Sequence, residues 1–288
     1  MKKLLLNSVF IIFLMLIGVK SHAQLSGDTF AKAKQSKTAN LTYVYSEAPG
    51  FAANIGGEVT GVCVDIMSDF EFFLLDKYGI TVNSTMEKQH ANNFTDYLEA
   101  VKKSSNGVFG LSNTTITAKR QQEYNFSPPY ITNIAMLLTN KEVPTLNDIS
   151  NISDVFAGKT AITIKGTTNE EQVMKIKKQY FPSLEIEYVN YFDEGMVMIT
   201  RDENYFINID FTYYLEAIQS NKPIKRHPAG DQTAEEFGIL MPKNSDWVQP
   251  FNEFLTEEYR TSPSYRKIIA KHLGPNALRL LDSVASGN

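Results

Sequence analysis

The chain has 288 residues, of which 43% are hydrophobic and 21% are charged. This composition excludes a disordered or fibrous protein, and a chain of this length tends to divide its core between two lobes. Acidic residues outnumber basic ones, the formal net charge is −4, and the sequence has no basic stripe. A nucleic-acid partner is therefore not expected.

Residues 1–23 have the pattern of a secretory signal peptide. Two lysines precede an apolar run over residues 9–19, and Ser21-His22-Ala23 places small residues where a signal peptidase cuts. The run is too short to span a bilayer as a helix. No cysteine that could carry a lipid follows the cut. We therefore expect a periplasmic protein whose mature chain begins at Gln24.

Strands and helices alternate through the first half of the chain. The apolar spacing predicts, in order, a strand over 41–45, a helix over 65–78, a strand over 80–82, a helix over 94–101 and a strand over 108–111. Gly79 is a typical stop for the first of these helices. The alternation favours a parallel α/β sheet, with ligand sites at the carboxyl ends of its strands.

A second α/β unit follows the break at Pro128-Pro129 and a polar stretch over 140–159. The remaining predicted elements are strands over 134–138, 161–165, 184–188, 205–211 and 237–241, and helices over 169–180, 247–259 and 264–273. The strand over 184–188 should turn Leu184, Ile186 and Tyr188 toward one face. No internal repeat is present.

The motifs of common enzyme classes are missing. The sequence contains no H-E-x-x-H, no G-x-x-x-x-G-K and no G-x-S-x-G, and His90, His227 and His272 are scattered. We therefore expect neither a metal site nor a cofactor. Cys63 is the only cysteine, so no intramolecular disulfide can form, and we expect it to be a buried packing residue rather than a nucleophile.

Two segments combine hydroxyl groups with features that bind anions. A run of hydroxyls from Ser112 to Thr117 ends a predicted buried strand and precedes Arg120, whose guanidinium can hold a carboxylate bidentately. The alternative is a helix cap followed by a solvated Arg. Gly166-Thr167-Thr168 turns a strand into a helix, whose first N–H groups can bind a carboxylate. Thr168 and Glu171 could equally form a capping box.

Together these segments resemble the extracellular solute-binding proteins of family 3, the amino-acid receptors of bacterial ABC importers, over residues 41–273. The matching stretches are Gly61-Val62-Cys63-Val64-Asp65, Asn113-Thr114-Thr115-Ile116-Thr117 with Arg120, Phe126-Ser127-Pro128-Pro129-Tyr130, Gly158-Lys159, Gly166-Thr167-Thr168, Ile207-Asn208-Ile209-Asp210 and Phe237-Gly238-Ile239. The resemblance implies an α/β fold of two lobes with a hinge and an interlobe ligand cleft. It places residues 24–134 and 230–288 in one lobe and residues 135–229 in the other.

The resemblance also implies a role for each site residue. The α-carboxylate of an amino acid is held by Arg120 and by the backbone N–H groups of Thr115 and Thr168. The α-ammonium is held by the Thr115 hydroxyl, the backbone C=O of Asn113 and the carboxylate of Asp210. Such a set is coherent, because a zwitterion taken out of water needs both charges paired.

The pocket for the ligand's side chain is less defined. We expect Phe51 to stack against that side chain, with Tyr45 as the alternative, and Glu47 to pair with it if it is basic. A core or rim position is the competing interpretation for each of the three.

Three classes of function remain. The leading one is a monomeric, non-catalytic binding protein that captures an amino-acid-like ligand and presents it to an ABC-importer permease or a membrane receptor. The second is an enzyme on the same fold, similar to periplasmic cyclohexadienyl dehydratases, with Glu170 or Glu47 as general acid. The third is a ligand sensor without a transport role.

Overall fold

Two five-stranded sheets, each flanked by helices, form the two lobes of the protein. The computed structural model describes residues 24–231 and 235–286. The predicted signal peptide therefore lies outside the described residues, and its predicted cleavage position lies at their first residue, Gln24. No helix among the described residues is long and apolar enough to cross a membrane.

The secondary structure comprises the following elements. The strands are β1 (Thr38–Tyr45), β2 (Ala53–Ile55), β3 (Glu58–Thr60), β4 (Thr81–Glu87), β5 (Val108–Leu111), β6 (Tyr124–Phe126), β7 (Ile131–Asn133), β8 (Ala135–Asn140), β9 (Thr160–Thr163), β10 (Glu185–Tyr188), β11 (Tyr205–Asp210), β12 (Ile224–Arg226), β13 (Glu235–Phe237) and β14 (Leu240–Pro242). The helices are α1 (Phe30–Ser36), α2 (Val62–Tyr78), α3 (Phe94–Lys103), α4 (Ala118–Glu123), α5 (Ile152–Val155), α6 (Thr168–Gln179), α7 (Phe192–Arg201), α8 (Phe211–Gln219), α9 (Val248–Phe254), α10 (Glu257–Thr261), α11 (Pro263–Leu273) and α12 (Pro275–Ser286).

The first sheet has the strand order β4-β1-β5-β14-β6, with β1 parallel to both β4 and β5. Helix α2 covers it because Ile66, Phe70 and Leu74 repeat every four residues and are all buried. The helix ends at Gly79, whose φ of 64° is left-handed and whose N–H bonds to the carbonyls of Leu74 and Leu75. The first lobe is thus built on alternating strands and helices, which confirms the prediction from the sequence.

The second sheet has the order β10-β9-β11-β8-β12, with β9 parallel to β10 and β11. A buried histidine, His227, packs beside it. Its Nδ1 accepts from the backbone N–H of Leu146 at 3.0 Å, so its Nε2 carries the proton toward Thr139 Oγ1 at 2.7 Å. Burial, with Lys225 nearby, lowers the pKa of His227 to about 4.

The chain crosses between the sheets twice. Strand β7 leads from the first sheet to the second, and β13 leads back. The two strands pair antiparallel, with Asn133 opposite Glu235 and Ile131 opposite Phe237. These crossing strands bring together two residues that are 102 positions apart in the sequence.

The strands predicted over residues 41–111 are parallel as expected, but neither sheet is parallel throughout. Strand β14 runs antiparallel to β5 and β6, and β8 runs antiparallel to β11 and β12. The cause is the double crossing. Strands β8 and β14 each come directly after a crossing strand, so each enters its sheet from the end opposite to its neighbours. The predicted strand over 237–241 is likewise divided, because Phe237 belongs to β13 in the crossing and Leu240 begins β14 in the sheet.

One other local expectation needs correction. The helix over 247–259 is two helices, because Thr256 caps a new one with its side chain. The polar stretch over 140–159 contains a 3-10 turn and α5. Tyr188 ends β10, the edge strand of its sheet, and is 50% exposed, with its hydroxyl 2.8 Å from Glu170 of α6.

Candidate ligand-binding cleft

A narrow cavity of about 40 Å³ lies where the carboxyl ends of strands from both sheets meet. Five of the six predicted ligand-binding residues line it, namely Asn113, Thr115, Arg120, Thr168 and Asp210. Asn113 and Thr115 follow β5, Thr168 follows β9, and Asp210 ends β11. The edge of the sheets predicted to carry the ligand site is thus where these side chains converge.

Arg120 spans the cavity from the first lobe. The side chain of Thr117 caps α4 by accepting the backbone N–H of Arg120 at 3.1 Å, which fixes the start of the short helix. The guanidinium then donates to the carbonyl of Thr115 at 2.9 Å and to that of Gly166, in the second lobe, at 3.1 Å. It also lies 5.3 Å from the centre of the Phe94 ring. The predicted cap and the charged Arg at the cavity are therefore both present.

The turn before α6 supplies the second lobe's hydroxyl group. Thr167 is the capping residue and accepts the backbone N–H of Glu170 at 3.1 Å, so the predicted cap at Thr168 is displaced by one residue. Thr168 is the first residue of α6, where backbone N–H groups have no partner within the helix. Its Oγ1 lies 3.2 Å from Oγ1 of Thr115, across the cavity.

Asp210 is buried at the end of β11. Its Oδ2 accepts from the side-chain amide of Asn113, and its Oδ1 accepts from Asn133 Nδ2 at 3.0 Å. Burial and the neighbouring Glu235 raise the pKa of Asp210 to about 7, although its amide donors act in the opposite direction. Asn113 was expected to contribute only its backbone; in the structure its side chain reaches across the cavity.

Asn133 and Glu235 were missed by the sequence analysis. They stand opposite each other on the crossing strands, and Asn133 Nδ2 lies 3.3 Å from Glu235 Oε2. The same oxygen of Glu235 accepts from Thr115 Oγ1 at 3.4 Å. Neither residue belongs to a local motif, because only the pairing of distant strands brings them against Thr115 and Asp210, which line the cavity. Burial also raises the pKa of Glu235.

The cavity wall also includes aromatic and acidic side chains. Phe94, Phe192, Tyr213 and Glu47 line it, and the rings of Phe192 and Tyr213 meet edge-on at 5.7 Å. Phe51 does not line the cavity. Its fully buried ring packs against Phe237 and Tyr130 at 5.6 and 6.3 Å, so its assignment as a ligand-stacking residue is corrected to a core position.

The physical reason is the tight turn that contains Phe51. Ala48 and Ala52 pair across this turn, and the carbonyl of Phe51 accepts the N–H of Cys63 at 3.0 Å. The turn is therefore held against the start of α2, which directs the ring inward. Tyr45, the alternative, is also buried outside the cavity lining. Glu47 is the one of the three side-chain candidates that reaches the cavity.

The comparisons with known proteins agree with this geometry. The sequence model of the bacterial extracellular solute-binding proteins, family 3, matches residues 43–275. The chain belongs to this family. Among solved structures, the arginine-, lysine-, histidine-binding protein ArtJ of Geobacillus stearothermophilus has 20% identity and a TM-score of 0.65, covering 84% of this chain and 99% of ArtJ. An ABC-transporter substrate-binding protein of Streptococcus pneumoniae with bound histidine has 19% identity and a TM-score of 0.65, covering 86% and 96%. These likenesses confirm the two-lobed α/β fold.

The curated relatives are named as enzymes rather than as binding proteins. Membrane-bound lytic murein transglycosylase F of Pseudomonas putida is 20% identical over 216 residues, which cover 68% of this chain and 40% of the relative. The chain thus spans less than half the length of the curated relatives it matches. An activity of those longer proteins does not transfer with this similarity.

Glu170 and Cys63, which the sequence analysis considered for catalytic roles, have structural partners in the fold. Glu170, a general-acid candidate, accepts from the hydroxyl of Tyr188 at 2.8 Å and from the backbone N–H of Gly166 at 2.7 Å, outside the cavity lining. Cys63 is fully buried, and burial raises the pKa of its thiol to about 12, which confirms its role in packing. Within residues 24–231 and 235–286, no three His, Cys, Asp or Glu side chains could hold a metal ion.

Proposed function

We propose that this protein acts in the periplasm, where it captures an amino acid or a related small zwitterion between its two lobes and delivers it to a membrane transporter. One observation carries the proposal: Arg120 and Asp210, which have opposite charges, line one narrow cavity between the lobes. A zwitterion that leaves water needs a partner for each of its charges, and this cavity offers both. The proposed role is binding without catalysis, by a monomer.

In the proposed complex, Arg120 and the backbone N–H groups of Thr115 and Thr168 hold the α-carboxylate. Asp210, the Thr115 hydroxyl and the carbonyl of Asn113 hold the α-ammonium. Arg120 already donates to the Gly166 carbonyl of the second lobe, so a ligand carboxylate has only to exchange for a neutral acceptor. Charged acceptors bind a guanidinium more strongly than neutral carbonyls do.

The proposal assigns residues 24–134 and 230–288 to one lobe and residues 135–229 to the other. The composition of the sheets supports this division, because the first sheet draws its strands from β1, β4, β5, β6 and β14 and the second from β8 to β12. The crossing strands β7 and β13 are the proposed hinge. A ligand that contacts both lobes favours the conformation in which they touch.

Glu47 favours a basic amino acid among the possible ligands. The cavity lining includes the carboxyl groups of Glu47 and Asp210 but one guanidinium, that of Arg120. Once the α-carboxylate and α-ammonium are paired, Glu47 is left to meet a cationic side chain. Among the described residues, no salt bridge to Glu47 lies within 4.0 Å. Similar structures with bound histidine, lysine and arginine agree with this charge balance, whereas others hold glutamine or L-glutamate.

A thermal-shift screen of the twenty amino acids tests the proposal. A ligand that binds the folded state raises its melting temperature. Calorimetric titration of the best ligand then compares wild type with Arg120→Ala and with Lys119→Ala, a control that removes the exposed charge next to it. Loss of a buried charge partner costs about 2–5 kcal/mol, so Arg120→Ala should bind thirty-fold to several-thousand-fold more weakly.

Lys119→Ala should bind as wild type does, and both variants should melt near the wild-type temperature without ligand. Affinity that survives in Arg120→Ala would exclude Arg120 from the site. Loss of affinity in Lys119→Ala as well would indicate long-range attraction of an anionic ligand rather than the proposed contact.

A second candidate function is an enzyme that uses the same cleft. The raised pKa of Asp210 favours it, because a carboxyl group that titrates near 7 can serve as a general acid at neutral pH. This candidate predicts turnover of prephenate or arogenate that is lost in Asp210→Asn. Tight binding of an amino acid together with no turnover of either compound rejects it.

A further inference from the structure

The crossing strands place a second carboxylate behind the cavity. Glu235 on β13 stands directly opposite Asn133 on β7, and paired residues of antiparallel strands share one face. Asn133 is fully buried, and hydrogen bonds at both its amide nitrogen and its amide oxygen fix the orientation of the side chain. Its Nδ2 donates to Asp210 Oδ1 at 3.0 Å and to Glu235 Oε2 at 3.3 Å, while its Oδ1 accepts the backbone N–H of Phe211 at 3.4 Å. One amide therefore links the carboxyl groups of Asp210 and Glu235.

Glu235 also determines which way the Thr115 hydroxyl points. An ionised carboxylate only accepts hydrogen bonds, so Thr115 Oγ1 donates to Glu235 Oε2 over their 3.4 Å contact. The single proton of Thr115 is then used, and Thr168 must be the donor in the 3.2 Å contact between the two threonine hydroxyls. The remaining lone pair of Thr115 is free to accept, which is what a ligand ammonium requires.

The pair of carboxyl groups is also electrostatically coupled. Asp210 is buried and Glu235 is half-buried, and burial together with the charge of Glu235 raises the pKa of Asp210. A proton held there belongs to the pair rather than to one residue. The other groups that face this pair are the amides of Asn113, Asn133 and Asn169, the phenol of Tyr213, the guanidinium of Arg120 and the carboxylate of Glu171.

We propose that Glu235 is a positioning residue of the ligand site, which holds the Thr115 hydroxyl as an acceptor and makes the site release a proton when an ammonium group binds. The inference rests on the proposed function, since it names how that site handles the ammonium. The proton leaves the Asp210–Glu235 pair for solvent, because a bound cation favours the fully ionised pair.

The coupling predicts how affinity depends on pH. With the pKa of Asp210 at about 7, the ionised fraction rises about tenfold between pH 6 and pH 8, and the affinity for an ammonium ligand should rise with it. Binding at pH 7 should release about half a proton, because about half of the molecules hold one there. Without the charge of Glu235, Asp210 should titrate at lower pH, and the rise of affinity between pH 6 and pH 8 should become smaller.

The test uses L-arginine as the probe and four forms of the full protein. These are wild type, Glu235→Gln, Glu235→Asp and Glu236→Gln. Glu236 is the matched control, because it is the next residue of β13 and its side chain is exposed. Calorimetry in two buffers of different ionisation enthalpy gives the affinity and the protons released from pH 6 to pH 8. Carbon-13 NMR of the side-chain carboxyl groups, assigned with Asp210→Asn, gives the pKa of Asp210 without any ligand.

Glu235→Gln should lower the pKa of Asp210, flatten the pH profile of affinity and reduce the proton release at pH 7. Glu236→Gln should behave as wild type, and Glu235→Asp, which keeps the charge, should retain the rise with pH. The inference is overturned if Glu235→Gln leaves the pKa of Asp210 and the pH profile unchanged while L-arginine still binds. If L-arginine and the other nineteen amino acids fail to bind wild type, the proposed function fails and this inference with it.

Discussion

A neutral histidine inside the second lobe should make the protein less stable in mild acid. His227 is fully buried, and the backbone N–H of Leu146 occupies Nδ1, the nitrogen that a second proton would need. Its pKa in the folded protein is about 4, against about 6.5 when unfolded. Between these values the unfolded chain binds more protons than the folded one, so stability falls as pH decreases from 6.5 to 4. The full loss is on the order of 3 kcal/mol.

Urea denaturation from pH 4.5 to pH 7.5 measures this dependence. The slope of stability against pH should be smaller in His227→Gln than in wild type, while His90→Gln, at a half-buried histidine of the first lobe, should keep the wild-type slope. The comparison between variants is needed because Asp210 and Glu235, whose pKa values are raised, oppose the trend. Equal slopes in all three proteins would mean that His227 is protonated in the folded state.

The site residues differ in how well the sequence could predict them. Arg120 and Thr115 stand in one short segment after a buried strand, and strand ends at one edge of a sheet must meet. Asn133 and Glu235 carry no such signal, because their proximity depends on two strands that pair over 102 positions. The prediction that Phe51 contacts the ligand was wrong because its local sequence pattern is ambiguous. An aromatic residue after a strand has the same sequence pattern whether it lines a cavity or fills the core.

At the scale of single elements, α2 depends on a stack of aromatic rings. Phe70 is fully buried and lies 4.1 Å from the ring of Phe251, with an interplanar angle of 29°. It also contacts Trp247, whose indole N–H donates to the carbonyl of Asp28 at 2.8 Å. This one side chain thus joins α2 to α9.

Phe70→Ala should therefore lower the free energy of unfolding by about 3–5 kcal/mol, the usual cost of removing a buried phenylalanine ring. Phe72→Ala is the matched control on the same helix, because Phe72 is 73% exposed. It should change stability by less than about 0.5 kcal/mol. Guanidinium denaturation of both variants measures the difference. Because alanine is the better helix former, similar losses in the two would mean that the buried ring of Phe70 contributes no more to stability than the exposed ring of Phe72.

Elements with regular apolar spacing were predicted well, and those without it were missed. Helix α2 and strand β5 lie within a few residues of their predicted bounds. Helix α8 follows β11 with no turn residue between them, so the sequence reads as one apolar run. Helix α7 contains Gly195, a poor helix former, at a point where a Cβ atom would lie 2.6 Å from Ile207 Cδ1. Close packing on the sheet requires that glycine, and local propensity cannot show it.

At the scale of the whole molecule, the two lobes touch through side chains at the cavity and through a contact beside it. Thr115 and Thr168 meet at the cavity, as described above. Beside the cavity, Thr95 of α3 donates to the carbonyl of Lys165 at 3.5 Å. A Cβ atom built on Gly166 would lie 3.2 Å from Thr95 Oγ1. Thr95 Oγ1 marks roughly where the sulfur of a cysteine at position 95 would lie, and in a disulfide each sulfur lies about 3 Å from the Cβ of the other cysteine, so this spacing suits a disulfide.

The double variant Thr95→Cys, Gly166→Cys should therefore lock the lobes together when it is oxidised. Gly166 has a φ of 81°, so a cysteine there adds strain of about 1–2 kcal/mol, which the protein should tolerate. Cys63 should not compete for the disulfide, because its thiol is fully buried and titrates near pH 12.

In the proposed mechanism, a ligand reaches the cavity only when the lobes open at the proposed hinge, β7 and β13. The oxidised variant should therefore fail to bind the amino acid that wild type binds, and a reductant should restore binding. Solution scattering should give a radius of gyration that shrinks with ligand in the reduced variant and stays at the smaller value in the oxidised one. The single variant Thr95→Cys controls for oxidation itself and should bind in both conditions. If the oxidised double variant binds as rapidly as the reduced one, the ligand reaches its site without movement of the lobes, and capture by hinge closure is the wrong mechanism.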